Sequence, residues 1–341
     1  MRYLHSVMIV ITIVFLVLIS VFLIFYPDTE PTDIVQLEVT TNPLLWEIEG
    51  ENPSYLYGSI HLADESIVTL PDVVIEAIDS CDVVYTEIAL DADTLFESAQ
   101  KSTLPSNVTL YDLIPENVEE KFNSYIQSNG YTEYAELLGF SSYKVWFAAS
   151  SLTVLENFQS LLNYLPLDYY IWNLAINKNK DARGLERIEV QLDIFDTLSI
   201  DDQIKLFNDT LDALEELSEQ GIKITETFIS SYLKGDLQEL QNLSYTGYDT
   251  DDPFYDMLLQ RIVTDRNINM SKDISKYVKE NPDTQYFFTI GAGHFYGETG
   301  ILQLLEDEGL AISRVKFDTS DSCEPGEIKI NQRCYEPYVT K

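Results

Sequence analysis

Histidine occurs three times in this chain of 341 residues, as His5, His61 and His294. His5 borders a hydrophobic N-terminal segment. The other two stand 233 positions apart in the same local setting. Gly58-Ser59-Ile60-His61 follows the strand-like run Tyr55-Leu56-Tyr57, and Gly291-Ala292-Gly293-His294 follows Tyr286-Phe287-Phe288-Thr289-Ile290. A strand, a glycine turn and then a histidine puts an imidazole at a strand's carboxyl end, the edge where open α/β sheets bind ligands. Gly58 and Gly291 permit the turn, and Gly293 permits close approach of the backbone to a ligand. Two such placements in a histidine-poor chain point to one composite site.

Glu87 and Glu186 also close strand-like runs, Val83-Val84-Tyr85-Thr86-Glu87 and Ala182-Arg183-Gly184-Leu185-Glu186. Two imidazoles with one or two carboxylates and an open position make a divalent-metal site. Such a site acidifies a bound water, and a carboxylate outside the ligand set can act as general base. A Glu after a strand also commonly caps the next helix, so neither acid is diagnostic alone. Arg266 falls on the apolar stripe Leu259, Ile262, Met270 and Ile274. There its charge needs a carboxylate, for which Glu87 or Glu186 would serve, or a substrate oxyanion. The plain alternative is an arginine that extends along its stem to water. Asn267 adjoins it. Asp168 opens the segment Leu167-Asp168-Tyr169-Tyr170-Ile171-Trp172 and reads as a first-turn acid favoured by the helix dipole. No Gly-x-Ser-x-Gly elbow, no nucleophile motif beside either histidine, and no Walker or dinucleotide fingerprint occurs.

The elements that must position these groups fall in a definite order. Strands are expected at Leu45–Ile48, Tyr55–Gly58 and Val83–Glu87, with a helix from Pro71 through Ile78. Periodicity then predicts helices near 94–101, 116–128, 142–159 and 167–177, and, after the strand-like piece 182–186, near 190–197, 201–220, 224–234 and 253–277. The chain returns to strand at Gln285–Ile290, helix at 300–308 and strand near 312–317. The N- and C-terminal strands must pair across the helical middle if both histidines share a site. The expected fold is therefore α/β (α+β): a central mixed sheet built from both ends of one domain with a large helical insertion.

Composition narrows the partners. Lys and Arg number 21 against 57 Asp and Glu, a formal net charge of −36. A surface so acidic disfavours nucleic acid, whose phosphates need basic contacts. Val7 to Phe25 is an apolar run broken only by Thr12 and Ser20, and as a helix it would span roughly 28 Å, close to a bilayer's hydrocarbon core. The bulky Phe25-Tyr26-Pro27 that follows lacks a small-x-small cleavage site, so the run reads as a retained anchor rather than a cleaved signal. Arg2 before it and Asp28, Glu30 and Asp33 after it place residues 1–6 in the cytoplasm and the rest outside. The expected layout is an anchor at 7–26, a stalk at 27–43, a catalytic domain at 44–318 and a polar tail at 319–341. Cys323 and Cys334 in that tail suit a disulfide closing a small loop in an oxidising compartment, worth about 3 kcal/mol. They make a poor zinc site, having no histidine nearby, and Cys81 reads as a small buried residue. Sequons begin at Asn107, Asn208, Asn242 and Asn269.

Taken in order, Leu45-Trp46-Glu47-Ile48, Tyr55 to His61, Leu70-Pro71, the strand ending at Glu87, Leu167-Asp168, Gly184-Leu185-Glu186 with Gln191, Arg266-Asn267 and Gly291-Ala292-Gly293-His294-Phe295-Tyr296-Gly297 resemble the TraB/PrgY/GumN family. That family includes the Tiki-type membrane-tethered proteases, and the resemblance covers about Leu44 to Phe317. It implies a fold related to the erythromycin-esterase and ChaN-like group. For Tiki-type members it implies a metal-dependent peptidase with manganese or cobalt, zinc being compatible with the same donors; for the PrgY branch it implies pheromone inhibition. His61 and His294 match the family histidines, and Glu87 and Glu186 the family acids. The N-terminal anchor and the cysteine tail depart from the Tiki pattern, whose anchor is usually C-terminal. The resulting expectation is a membrane-anchored, extracytoplasmic metallohydrolase acting on peptides or proteins. His61, Glu87 and His294 would be ligands, Glu186 a further ligand or base, and Arg266 with Asn267 would support the acids or an oxyanion. Its rivals are a non-catalytic peptide-binding inhibitor and a metal-free hydrolase with His61 as general base.

Overall fold

A computed structural model of the chain describes residues 42–245 and 252–315, together with the short strands Ile328–Ile330 and Arg333–Tyr335. One sheet of six strands carries the fold: β1 Leu45–Ile48, β2 Ser54–Ser59, β3 Val83–Ile88, β4 Asp181–Glu186, β5 Tyr286–Gly291 and β6 Ile312–Arg314. Their order across the sheet is β4-β3-β5-β2-β1-β6. β4, β3, β5 and β2 run parallel, while β1 is antiparallel to both β2 and β6. β3 and β5 are buried at every position, as parallel strands covered on both faces must be. This explains why VVYTEI and YFFTIG read as near-continuous apolar runs.

The late strand β5 inserts between the early strands β2 and β3, so the two ends of the domain do pair across the insertion. Register then settles where the histidine turns begin. Ser59 is the partner of Gly291, so both turns leave from adjacent strands at the same carboxyl edge.

The connections are helical. α1 Glu65–Val68 and α2 Asp72–Ser80 join β2 to β3. Between β3 and β4 lie α3 Ala92–Ser102, α4 Glu116–Ser128, α5 Thr132–Leu138, α6 Val145–Leu161 and α7 Leu167–Asn177. Between β4 and β5 lie α8 Ile188–Asp196, α9 Ile200–Glu219, α10 Ile224–Lys234, α11 Leu237–Tyr245, α12 Pro253–Leu259 and α13 Asp265–Glu280, and α14 Ile301–Asp307 precedes β6. α6 is buried on nearly every side, which is why it shows little amphipathic contrast. Helices α1, α5 and α11 have no counterpart in the sequence pattern; α1 and α5 are very short, whereas α11 is as long as the expected α2 and α8.

The helix expected over 253–277 forms, with one irregular turn within it. A π-helical turn at Gln260–Thr264 separates α12 from α13, and the Asp265 N–H reaches back five residues to Gln260 O. The inserted turn shifts the apolar face, so Leu258 is fully buried upstream and Leu259 only partly. Cys81 is a free, buried core residue, and burial pushes its thiol up to about 12. The hydrophobic run 7–25, the stalk to residue 41 and Cys323 lie outside the described residues, and with them the expected Cys323–Cys334 pairing. Among the described residues no helix is long and apolar enough to cross a membrane.

Candidate active site

The carboxyl edge of β2, β3, β4 and β5 gathers the expected residues. Glu87 is the penultimate residue of β3 and Glu186 the last of β4. His61 lies two residues beyond β2, and His294 closes the short 3-10 turn Ala292–His294 after β5. Arg266 and Asn267 open α13. All six meet in one cluster, in which Glu87, Arg266, Asn267 and His294 are buried and His61 and Glu186 partly exposed.

Arg266 is its centre, and the expectation that it needs a carboxylate is exceeded. Its Nε donates to Glu186 Oε1 at 2.7 Å and its Nη2 to Glu87 Oε2. Nη1 donates to Ile262 O at 3.1 Å, within the π-helical turn that disturbs the regular ladder. Functional sites often carry such turns. Gln191 on α8 bridges the same acids, donating to Glu87 Oε2 at 3.1 Å and Glu186 Oε1 at 2.9 Å. The Gly291 N–H donates to Glu87 Oε1 at 2.7 Å.

The two imidazoles are held by their Nδ1 atoms. His294 Nδ1 lies 2.6 Å from Asn267 Oδ1. The Asn267 amide is itself oriented, because its Nδ2 donates to His294 O and Thr299 O. Nδ1 of His294 is thus the donor and Nε2 the acceptor, and Arg266 Nη1, only ever a donor, points at that Nε2 from 3.2 Å. His61 Nδ1 lies 2.8 Å from Asp168 Oδ2, while Ser59 Oγ donates to Asp168 Oδ1 at 2.6 Å. His61 Nε2 is buried without a hydrogen-bond partner. It lies 3.8 Å from Glu87 Oε1, and His294 Nε2 lies 3.9 Å from the same oxygen.

Electrostatics separate the two histidines. Burial disfavours the charged form of His61, but the charge and hydrogen bond of Asp168, with Glu87, outweigh it and raise the pKa to about 9. Burial and the Arg266 charge drive His294 the other way, to about 3. Burial also opposes ionisation of Glu87, yet Arg266, the two imidazoles and the Gly291 N–H hold its carboxyl far below the usual range.

Two readings from sequence need revision. Asp168 does lie in the first turn of α7, but its carboxylate is committed to His61 and Ser59 rather than only to the helix dipole. The helix-dipole reading accounted for an acid at that position and so hid its tertiary partner. Gly58 and Gly291 are not among the glycines with positive φ. They are small because neighbours are close: a Cβ at Gly291 would stand 3.1 Å from Glu87 Oε1 and 3.5 Å from His61 Nε2. Gly293 sits in the turn itself. Ser59 and Asp168 join the site as supports that sequence reasoning had not assigned to it, and Gln191, seen only in the family pattern, acquires a physical role.

The donor chemistry fits a divalent ion. Each imidazole has its Nδ1 anchored by an oxygen, the arrangement that presents Nε2 to a metal, and both Nε2 atoms converge on one carboxylate oxygen. Ligands bound about 2.1 Å from a tetrahedral ion lie roughly 3.4 Å apart, a few tenths of an ångström closer than these. Among the described residues no three His, Cys, Asp or Glu side chains already stand at metal-binding spacing.

The chain is similar to several curated proteins named as metalloproteases. The Metalloprotease TIKI1 of Danio rerio is 25% identical over 309 residues, covering 80% of this chain and 63% of that protein. The Metalloprotease TIKI homolog of Amphimedon queenslandica is 26% identical over 343 residues, covering 88% and 66%. The human Metalloprotease TIKI1 is 24% identical over 326 residues, covering 84% and 64%. The chain thus spans less than two thirds of the length of these curated relatives. No solved structure matches. The sheet edge, both histidine turns and the arginine all fall within residues 44–314, the stretch that matches the model of the TraB/PrgY/gumN family, and the chain belongs to that family.

Proposed function

We propose that this chain is a metal-dependent peptidase, tethered by residues 7–26 with its domain, 44–318, outside the cytoplasm. The observation that carries the reading is the convergence of two Nδ1-anchored imidazoles on Glu87 Oε1, with His61 Nε2 buried and unpartnered. The names of the relatives support it. His61, His294 and Glu87 would hold the ion, with manganese, cobalt and zinc all compatible with the donors. A bound divalent ion polarises a carbonyl and lowers the pKa of its water.

The chain's own residues do the rest. Asp168 and Asn267 fix the imidazole orientations. Arg266 compensates the two acids, so that Glu87 stays ionised in a buried setting. Glu186 holds Arg266 and Gln191 through Oε1, leaving Oε2 to take a proton from an attacking water. A peptide is the substrate class.

One observation favours a second reading. Arg266 Nη1 points at His294 Nε2 from 3.2 Å, a position that would compete with an ion for the same lone pair. In a metal-free hydrolase His61, paired with Asp168, would be the general base and Arg266 would stabilise the oxyanion. Metal analysis of the purified protein, with a peptide-library cleavage assay before and after chelation, separates the two. Bound metal in the wild type, lost in both His61→Ala and His294→Ala with their melting behaviour preserved, supports the metallopeptidase. Cleavage undiminished by exhaustive chelation supports the metal-free enzyme. Peptide binding without turnover under either condition would leave only an inhibitor-like binding protein.

A further inference from the structure

Both ends of the described domain leave from the catalytic edge of the sheet. β1 is antiparallel to β2, so its first residue Leu45 is paired with Tyr57, beside the Gly58 turn, and its last, Ile48, with Ser54 at the far edge. β6 reverses again, which brings Arg314 opposite Trp46. The Val315 N–H donates to Leu45 O at 2.9 Å. The chain therefore arrives and departs at the edge that bears both histidines.

The arrival point is clamped, not loosely attached. The Gly58 N–H donates to Leu44 O at 2.7 Å. A Cβ on Gly58 would lie 3.0 Å from Leu44 Cβ and 3.5 Å from Ala292 Cβ, so Leu44 packs against one histidine turn within reach of the other. Trp46 stacks on Phe295, the residue after His294, with ring centroids 5.0 Å apart. The Arg314 guanidinium lies 5.0 Å over Trp46, and its Nη2 donates to Asn42 O, Pro43 O and Gly235 O.

Only residues 26–41 separate the hydrophobic run ending at Phe25 from Asn42. A chain of that length reaches at most about 55 Å when fully extended. A domain of this size has a radius of gyration of about 18 Å. Had the chain arrived at the opposite edge, the body of the domain would stand between membrane and site.

We propose that the catalytic edge is turned toward the bilayer and that the substrates are polypeptides anchored in the same membrane, cut close to it. This rests on the peptidase and anchor readings above and names their substrate. A soluble peptide gains nothing from the geometry, whereas a co-anchored one gains effective concentration and presents its membrane-proximal segment at the height of the site.

The test uses the full chain in liposomes with an acceptor dye on the lipid headgroups. A single genetically encoded fluorophore is placed at Tyr296, beside His294, or at Asp283, in the exposed turn that precedes β5 at the far edge. Stronger energy transfer from position 296 is expected; equal transfer, or stronger transfer from 283, overturns the orientation. Two reporters of one peptide sequence are then compared, one soluble and one carried about ten residues from its own membrane span. A rigid helical insert of 40 residues in the stalk, about 60 Å long, should lower cleavage of the anchored reporter at least tenfold and leave the soluble one unchanged. Indifference of the anchored reporter to the insert overturns the substrate class. Protein found wholly outside the membrane sinks the anchor reading. Energy transfer as expected with neither reporter cleaved at any stalk length sinks the peptidase reading, and the substrate class with it.

Discussion

Asp168 Oδ2 lies 2.8 Å from His61 Nδ1, a carboxylate where His294 has only the amide oxygen of Asn267. This difference in partner, together with the Arg266 guanidinium 3.2 Å from His294 Nε2, pushes the two histidines apart. His61 is drawn up to about 9 and His294 is left to burial and Arg266 at about 3. Pairs of titratable groups separated in this way mark acid and base roles. Asp168→Asn keeps a hydrogen-bonding oxygen and removes the charge. We expect the His61 pKa, followed by NMR of its ring protons in the metal-free protein, to fall toward the ordinary value of roughly 6.5. Metal affinity should weaken roughly 10–100-fold, as for other outer-sphere partners of a metal-bound histidine. An unchanged His61 titration would show that Asp168 is not its charge partner.

Metal uptake should itself depend on pH. His61 must lose its proton to bind, so affinity is expected to rise about tenfold per pH unit from 6.5 to near 9 and then level off. Calorimetric titration with manganese and zinc across that range reads the slope, and a flat profile would mean that the ion displaces no proton from His61.

Stability of the metal-free domain follows from the same shifts. His61 has a folded pKa above its unfolded one, so its contribution is complete below roughly 6.5 and is lost as pH rises through about 9. His294 is depressed, so its contribution is complete above roughly 6.5 and is lost as pH falls toward 3. Together they favour greatest stability near neutrality. In His61→Ala, melting scans with chelator should show a flatter alkaline limb; a limb as steep as wild type would exclude His61 as its source.

Gly291 offers a test of space alone. In Gly291→Ala the new Cβ would stand 3.1 Å from Glu87 Oε1 and 3.5 Å from His61 Nε2. The carboxylate must give way by a few tenths of an ångström, which disturbs the Gly291 N–H bond to Glu87. We expect metal affinity and activity to fall at least tenfold, while stability falls by only about 1–2 kcal/mol, as small overpacking costs usually run. Wild-type affinity in this variant would place the ion away from the His61–Glu87 gap.

The sheet and most of the site were legible in the sequence because they rest on local signals. VVYTEI and YFFTIG are buried strands and read as such, and each histidine follows its own strand and glycine. That the two ends pair across the helical middle followed once both histidines were required to share a site, whereas the register that sets Ser59 opposite Gly291 is seen only in the structure. What was not legible depends on tertiary neighbours. Asp168 looked complete as a helix-dipole acid, and nothing local announces a partner 107 residues away. The π-helical turn before Arg266 adds one residue to an otherwise regular pattern, and apolar periodicity tolerates that slip. Gly58 and Gly291 were read as turn formers, since close packing against Leu44 and Glu87 leaves no trace in a sequence.

Arg266 carries the most exacting test. It is almost wholly buried between Glu87 and Glu186, which would otherwise be two acids in one low-dielectric pocket. In the wild type Glu87 is held well below the usual carboxylate range, so its contribution to stability is present above its unfolded pKa and is lost as pH falls through the folded one. Arg266→Leu reverses the sign. The facing carboxylates repel, one of them takes up a proton, and its pKa rises. The cost, about 3–5 kcal/mol for breaking a buried pair, should therefore be least at mildly acidic pH and grow as pH rises. Added manganese, which supplies positive charge at the same place, should recover part of it. The double variant Arg266→Leu/Glu87→Gln removes one of the repelling charges and should recover stability at alkaline pH without recovering activity. Melting temperatures of wild type and both variants from pH 5 to 8, with and without manganese, read all of this. A single variant as stable as wild type at every pH would mean that the two acids never depended on the arginine, and Arg266 would leave the site.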